Sequence, residues 1–240
     1  VIPGQEQLDV TGALRFAFIG ILAFDRTISY DYENRMIAIN DSNIIATFAY
    51  DALGHRVKKT VNGVTTYYFF SNYEEVVSAG ETKILKYYFG PNGRIAQRSV
   101  TDTDDELLYI HTDHLGSAVR MTDTSGEPVQ SIAYDPFGMT VYTAGSKNPS
   151  YQFTGQEFDA STGLYYYGAR YYDPELGRFL QADTVLAGLN RYTYCWNNPV
   201  MYVDPTGHNP ESGSWQQSEE AYLSNISTST KTTETEGESS

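Results

Sequence analysis

Apolar and aromatic residues recur along this chain in short runs with a period of two, as a pleated strand requires. Thr65-Thr66-Tyr67-Tyr68-Phe69-Phe70 and Ile84-Leu85-Lys86-Tyr87-Tyr88-Phe89 are typical. Successive side chains of a strand point to opposite faces, and aromatic and β-branched residues suit a half-buried pleated surface, so these runs predict strands. Between the runs sit Pro91-Asn92-Gly93, Ser125-Gly126 and Asp135-Pro136-Phe137-Gly138. Such clusters favour tight turns, because glycine supplies the positive φ and Asn or Asp bonds its own backbone. The predicted class is all-β, built from hairpins.

The hairpins repeat. Tyr30-Asp31 opens YDYENRMIAI, and Tyr50-Asp51 opens YDALGHRVKKT. Tyr88 opens YFGPNGRIAQRS, His114 lies in DHLGSAVRMTD, and Tyr134-Asp135 opens YDPFGMTVYT. The period is about 20 to 24 residues, which predicts about five hairpin units. A unit this short buries no face alone, so neighbours must stack into a long curved sheet.

The texture changes twice. From Tyr151 to His208 the chain is dense in Gly, Tyr and Asp-Pro; within it, 185–196 is readable as a helical turn or two. Residues 209–240 hold thirteen Ser or Thr and six Glu, with almost no apolar periodicity. Four stretches result: 1–29, a strand of a truncated repeat; 30–150, the repeats; 151–208, a β-rich module; and 209–240, a variable tail expected to be disordered. Ala13 to Phe24 is apolar but spans 12 residues, shorter than the roughly 20 of a membrane-spanning helix, and is expected to be buried strand or core. The chain opens VIPGQEQLD, without an initiator Met or a basic leader, and reads as a fragment of a longer protein.

Composition sharpens this picture. Tyr is unusually frequent, 21 against 11 Phe and 2 Trp, as expected where rings pack on a sheet and hydroxyls reach partners. The net charge of −14 repels phosphate backbones and argues against a nucleic-acid partner. The single cysteine, Cys195, excludes an internal disulfide and reads as a buried, inert thiol. No metal site or cofactor is expected. His111 and His114 lie within a repeat unit, and on a strand His111 and Asp113 share a face that His114 does not.

Among the acids, Asp183 and Asp204 stand 21 residues apart in an aromatic, β-rich setting, with Arg170 upstream. Two carboxylates brought together do not both ionise easily; one keeps its proton as an acid while the other activates water. A guanidinium can hold one of them ionised. The plainer roles are also open: Asp204 in Asp-Pro-Thr-Gly as a turn former, Asp183 as a surface acid, and Arg170 as an ion-pair or stacking partner. Asp135 and Asp173 read as turn formers.

The Tyr-Asp-x-x-Gly hairpins resemble YD, or Rhs, repeats. The strings Gly163-Leu164-Tyr165-Tyr166-Tyr167-Gly168-Ala169-Arg170-Tyr171-Tyr172-Asp173-Pro174, Gly177-Arg178-Phe179-Leu180-Gln181-Ala182-Asp183, Asn197-Asn198-Pro199 and Asp204-Pro205-Thr206-Gly207 resemble the repeat-associated core that closes such arrays. The resemblance implies stacked hairpins forming part of a spiralling β-shell, capped by the core. It implies encapsulation of the protein's own C-terminal cargo polypeptide, and partners in the remainder of the shell and in secretion or toxin-complex components. It implies a secreted or cell-surface location, with no membrane insertion by this segment. It also implies a self-cleaving core of aspartyl-protease type, with Asp183 and Asp204 as the acids, Arg170 assisting, and the cut between His208 and Asn209. The chain departs from the family pattern at His208, where an apolar residue is usual, and at Thr184, where proline is common. The competing expectation is a surface adhesion or carbohydrate-binding protein without catalysis.

Overall fold

The computed structural model describes residues 26–91, 93–185 and 190–212, with the backbone of 7–8 and 14–15. Almost all of Ala13 to Phe24 lies outside the described residues, as does most of the 209–240 tail. The expected all-β architecture is found. Fourteen strands form one antiparallel sheet in which spatial order follows sequence order throughout. They are β1 (Gln7–Leu8), β2 (Leu14–Arg15), β3 (Thr27–Tyr30), β4 (Met36–Asn40), β5 (Ile45–Tyr50), β6 (Arg56–Val61) and β7 (Val64–Phe70). Then come β8 (Tyr73–Ser78), β9 (Glu81–Gly90), β10 (Gly93–Val100), β11 (Asp105–Thr112), β12 (Ala118–Thr122), β13 (Pro128–Tyr134) and β14 (Thr140–Gly145). A second sheet holds β15 (Glu157–Asp159), β16 (Leu164–Tyr166), β17 (Tyr171–Asp173) and β18 (Arg178–Phe179). A short pair, β19 (Tyr202–Val203) and β20 (Glu211–Ser212), ends the described chain.

The repeat motif is a turn with a fixed hydrogen-bond pattern. At Asp31, Asp51, Asp113, Asp123 and Asp135, Oδ1 accepts the backbone N–H groups two and four residues on. The fourth residue of each turn is left-handed: Asn34 (φ 62), Gly54 (φ 88), Gly116 (φ 83), Gly126 (φ 87) and Gly138 (φ 91). The pairing register shifts just before each turn, at Ser29/Tyr30, Ala49/Tyr50, His111/Thr112, Met121/Thr122 and Ala133/Tyr134. A bulge raises the local twist, so the same irregularity repeated at each Asp turn curves the wall. The tyrosine before the aspartate can stitch hairpins together. Tyr50 donates to the Met36 carbonyl at 2.6 Å, and Tyr134 to the Ala118 carbonyl at 2.9 Å. That role needs the hydroxyl and explains Tyr over Phe at these positions.

About five hairpins was an undercount, since the sheet holds fourteen strands among the described residues. The motif marks turns at only some positions, while loops such as Asn62-Gly63 and Ala79-Gly80 reverse the chain without it. Regular pairing also continues past the change in texture at Asn209, because Glu211 pairs with Val203 and Ser212 with Tyr202. Among the described residues of 185–196, the helical turns considered there take the form of a short turn at Cys195–Asn197, whose residues are all left-handed.

The small sheet lies on one face of the wall. Ile28, Met36, Ile39, Ala46, Phe48 and Val61 of the wall share a core with Leu164 and Tyr171. A second core gathers Phe153, Tyr165, Tyr167, Tyr172, Phe179, Tyr194 and Cys195, with Tyr134 and Phe137 of the wall against it. Between them Arg56 of the wall forms a buried ion pair with Glu157 and stacks on Tyr166, 4.0 Å from the ring centre. Lys59 reaches the same carboxylate at 2.8 Å, and Tyr68 donates to it at 2.7 Å. Burial pushes Glu157 up, but Arg56 and Lys59 outweigh it and hold its pKa down at about 2. A buried charge persists only with such partners.

Candidate active site: two acids on one arginine

Two tight turns stack to build the site. The first runs from Tyr167 to Arg170 and joins β16 to β17, and the second is Asp204-Pro205-Thr206-Gly207 after β19. Ala169 donates its N–H to the Thr206 carbonyl at 3.1 Å. Gly207 has φ +79, and a Cβ there would stand 2.7 Å from the Tyr167 carbonyl oxygen and 3.2 Å from the Arg170 nitrogen. Only glycine lets the turns approach this closely. Leu180 donates its N–H to the Tyr171 carbonyl, and Asp183 follows just beyond β18.

These turns bring the three sequence-predicted residues together. Asp183, Asp204 and Arg170 are 0%, 1% and 3% exposed. Arg170 Nη2 lies 2.9 Å from Asp183 Oδ2 and 3.4 Å from Asp204 Oδ2. The guanidinium is itself fixed. Its carbon lies 3.7 Å from the Phe179 ring centre, Nη1 donates to the Arg191 carbonyl at 3.0 Å, and Nε donates to the Gly207 carbonyl. Burial lowers the Arg170 pKa, against the pull of both carboxylates.

The two acids differ in their surroundings. Asp183 Oδ1 accepts the Val185 N–H at 2.8 Å, and the Asp183 carbonyl accepts Arg191 Nε at 2.5 Å. Asp204 Oδ1 accepts the N–H groups of Gly207 at 2.8 Å and His208 at 3.0 Å. Burial nevertheless raises the Asp204 pKa, with Arg170 and the turn N–H groups opposing it. His208 completes the ring of contacts, with Nδ1 3.0 Å from Asp183 Oδ1. A cleft of about 460 Å3 opens beside the acids, lined by Arg35, His55, Arg170, Gln181, Thr184 and His208 among others. One ionised and one protonated carboxylate can activate a water and protonate a leaving nitrogen.

Sequence reading overlooked the Phe179 platform and the double role of Arg191. Phe179 lies in the string that ends at Asp183 and Arg191 eight residues beyond it, but nothing in residue type or spacing marks them. The plainer roles weighed for other residues fit their contacts. Asp135 and Asp173 form turns. His111 Nε2 lies 3.1 Å from Thr122 Oγ1, while His114 Nε2 lies 3.3 Å from the Val200 carbonyl oxygen. Cys195 is buried, and burial pushes its thiol pKa up to about 12.

The Teneurin YD-shell family matches residues 20–200. The chain belongs to this family. Similar to this YD-shell chain is the tRNA3(Ser)-specific nuclease WapA of Bacillus spizizenii, 34% identical over 201 residues, which cover 76% of the chain and 8% of WapA. Toxin subunit YenC1 of Yersinia entomophaga is 40% identical over 114 residues, covering 45% of the chain and 12% of the subunit. Among solved structures, TcdB2-TccC3 without its hypervariable C-terminal region superposes with a TM-score of 0.68 at 25% identity, over 76% of this chain and 10% of that one. The YD-shell chain thus spans about a tenth of the length of its toxin-related relatives.

Proposed function

We propose that this chain closes a longer β-shell around a C-terminal polypeptide, and that Arg170, Asp183 and Asp204 cut the chain between His208 and Asn209. The observation that carries this reading is the placement of residue 208, which bonds Asp204 through its backbone N–H and Asp183 through its ring. In the reaction, water attacks the His208 carbonyl carbon and gives a proton to the carboxylate of Asp183, which Arg170 faces at 2.9 Å. Asp204, its pKa raised by burial, protonates the Asn209 nitrogen as the C–N bond breaks. A new carboxylate on His208 and a new amine on Asn209 result, and each chain is cut once. The partners are the rest of the shell, the cargo that follows residue 208, and secretion or toxin-complex components outside the producing cell. Toxin names among the relatives support that setting.

Intact mass under denaturing conditions tests the cut. Wild type is expected as two species meeting at His208–Asn209, and Asp183→Asn as one uncut species. A wild type that stays whole after long incubation overturns the cleavage reading.

One observation favours a second, non-catalytic reading as a surface carbohydrate binder. A cleft of about 430 Å3 beside the β7–β8 turn carries the exposed rings of Phe69, Phe70 and Tyr88 beside Asn72, Glu75 and Lys86. Retention on immobilised polysaccharide that is lost in Phe70→Ala supports it, and equal elution of both proteins excludes it.

A further inference from the structure

When water adds to a carbonyl, the oxygen gathers negative charge and needs a hydrogen-bond donor. The donors already described are engaged. Arg170 donates from Nε to the Gly207 carbonyl, from Nη1 to the Arg191 carbonyl and from Nη2 to Asp204, with Asp183 2.9 Å away. The N–H groups of Gly207 and His208 go to Asp204, and that of Val185 goes to Asp183. Gln181 is different. It stands in sequence between Phe179, on which Arg170 stacks, and Asp183. Its residue is 3% exposed and lines the cleft together with Arg170 and His208. Where β17 begins, the Tyr171 N–H donates to Gln181 Oε1 at 2.8 Å. A backbone N–H only donates, so this bond decides which arm of the amide is oxygen. The other arm, Nε2, is buried and has no acceptor among the described residues. A buried donor without a partner is costly, and one held in a cleft beside two acids points to an acceptor that forms during the reaction.

We propose that Gln181 is a further catalytic residue of the cut, whose Nε2 donates a hydrogen bond to the His208 carbonyl oxygen as water adds to its carbon. The inference rests on the self-cleavage reading. The amide gives up no proton. Its hydrogen bond strengthens as charge gathers on the oxygen and relaxes when the C–N bond to Asn209 breaks. Because the Tyr171 N–H fixes the amide beforehand, the donor needs no reorganisation at the moment of reaction. Glutamate separates this role from a structural one. It has the same shape and keeps an oxygen for the Tyr171 N–H. Protonated, it offers a hydroxyl donor where Nε2 stood; ionised, it offers only an acceptor. The charged and titratable groups of the cleft are Arg170, His208, Glu33, Arg35 and His55, with Asp183 and Asp204 on Arg170. Dividing each variant's rate by that of wild type at the same pH removes what these groups contribute.

The test follows the fraction of uncut chain with time for wild type, Gln181→Met and Gln181→Glu. Labelled cell-free synthesis is stopped and the chains are brought to a series of pH values between about 5 and 9, the span over which a buried carboxyl gives up its proton. Gln181→Met, which has no donor at any pH, should cut about 10^2–10^3-fold more slowly than wild type, the usual loss when one oxyanion donor is removed. Gln181→Glu should approach the wild-type rate at the acid end, and its ratio to wild type should fall as pH rises and the donor is lost. Near-UV circular dichroism of the buried tyrosines, Tyr165, Tyr167, Tyr171, Tyr172 and Tyr194, reports whether each variant folds. If one does not, the other decides. A folded Gln181→Met that cuts as fast as wild type overturns the inference. So does a folded Gln181→Glu whose ratio to wild type stays constant with pH, since a purely structural amide would give that result. In both cases the self-cleavage reading stands. A wild type that never cuts overturns that reading, and this inference falls with it.

Discussion

The Asp turns of the wall and the Asp204 turn are built on one local plan and do different chemistry. In both, an aspartate Oδ1 accepts N–H groups further along the turn, and the fourth residue is left-handed: Gly126 with φ 87 in the wall, Gly207 with φ 79 in the core. On the wall, Asp123 faces solvent, and its hydrogen bonds to Ser125 and Glu127 lower its pKa. In the core, burial overcomes the same kind of bond and raises the Asp204 pKa. The lesson is that the motif sets the turn, while the surroundings decide whether the carboxylate ends as a structural anion or a candidate acid.

The comparison is broken most directly by exchanging each acid for its amide. Asp204→Asn keeps the turn acceptor and removes the acid, and should lower the cleavage rate by about 10^3 or more, since loss of one member of a catalytic pair is of that order. Asp123→Asn should leave the rate unchanged. A shared loss, read by intact mass, would show that the turn matters rather than its burial.

A smaller effect is expected from the glycines. Gly126→Ala meets open space and pays for its positive φ alone, about 1 kcal/mol, whereas Gly207→Ala also drives a methyl toward the Tyr167 carbonyl. Gly207→Ala should therefore cost roughly 2–4 kcal/mol, by analogy with an overpacked core, read as the difference in urea midpoints. Equal costs would mean that the two stacked turns separate at little expense.

The smallest expected effect concerns the wall's own buried acid. Glu74 accepts Tyr151 at 2.7 Å and Tyr87 at 3.2 Å, and burial, with Glu157 nearby, raises its pKa to about 7. A raised carboxyl binds its proton more tightly in the folded state, so its contribution is full below the ordinary carboxylate pKa and is lost as pH rises through about 7. Glu157 has the opposite sign, its contribution being lost as pH falls toward about 2. Glu74→Gln should thus stabilise the protein by about 1–3 kcal/mol at pH 8 and little at pH 5. Thermal unfolding at the two pH values checks this, and an unchanged difference would place Glu74 in a more solvated setting.

Much of the fold was legible because its causes are local. Asp31, Asp51 and Asp135 announce their turns through residues within four positions, and the alternation of β5 places Ala46 and Phe48 inward. The trio Arg170, Asp183 and Asp204 was named through the resemblance of long strings rather than through spacing. What escaped was nonlocal: the unmarked turns that raise the strand total, the Arg56–Glu157 pair 101 residues apart, the Phe179 platform, and the pairing of Glu211 beyond His208.

By itself, then, the sequence determined the strands, the curved hairpin array and the glycines that its turns demand, because backbone sterics and side chain to backbone bonds act over a few residues. Tertiary structure alone decided that Asp183 and Asp204 share one guanidinium, that Asp204 is pushed toward its protonated form, and that His208 reaches Asp183. Those outcomes depend on burial and on charges brought together from distant segments, and electrostatic energies are set by distance and dielectric in space, which a linear order of residues does not contain.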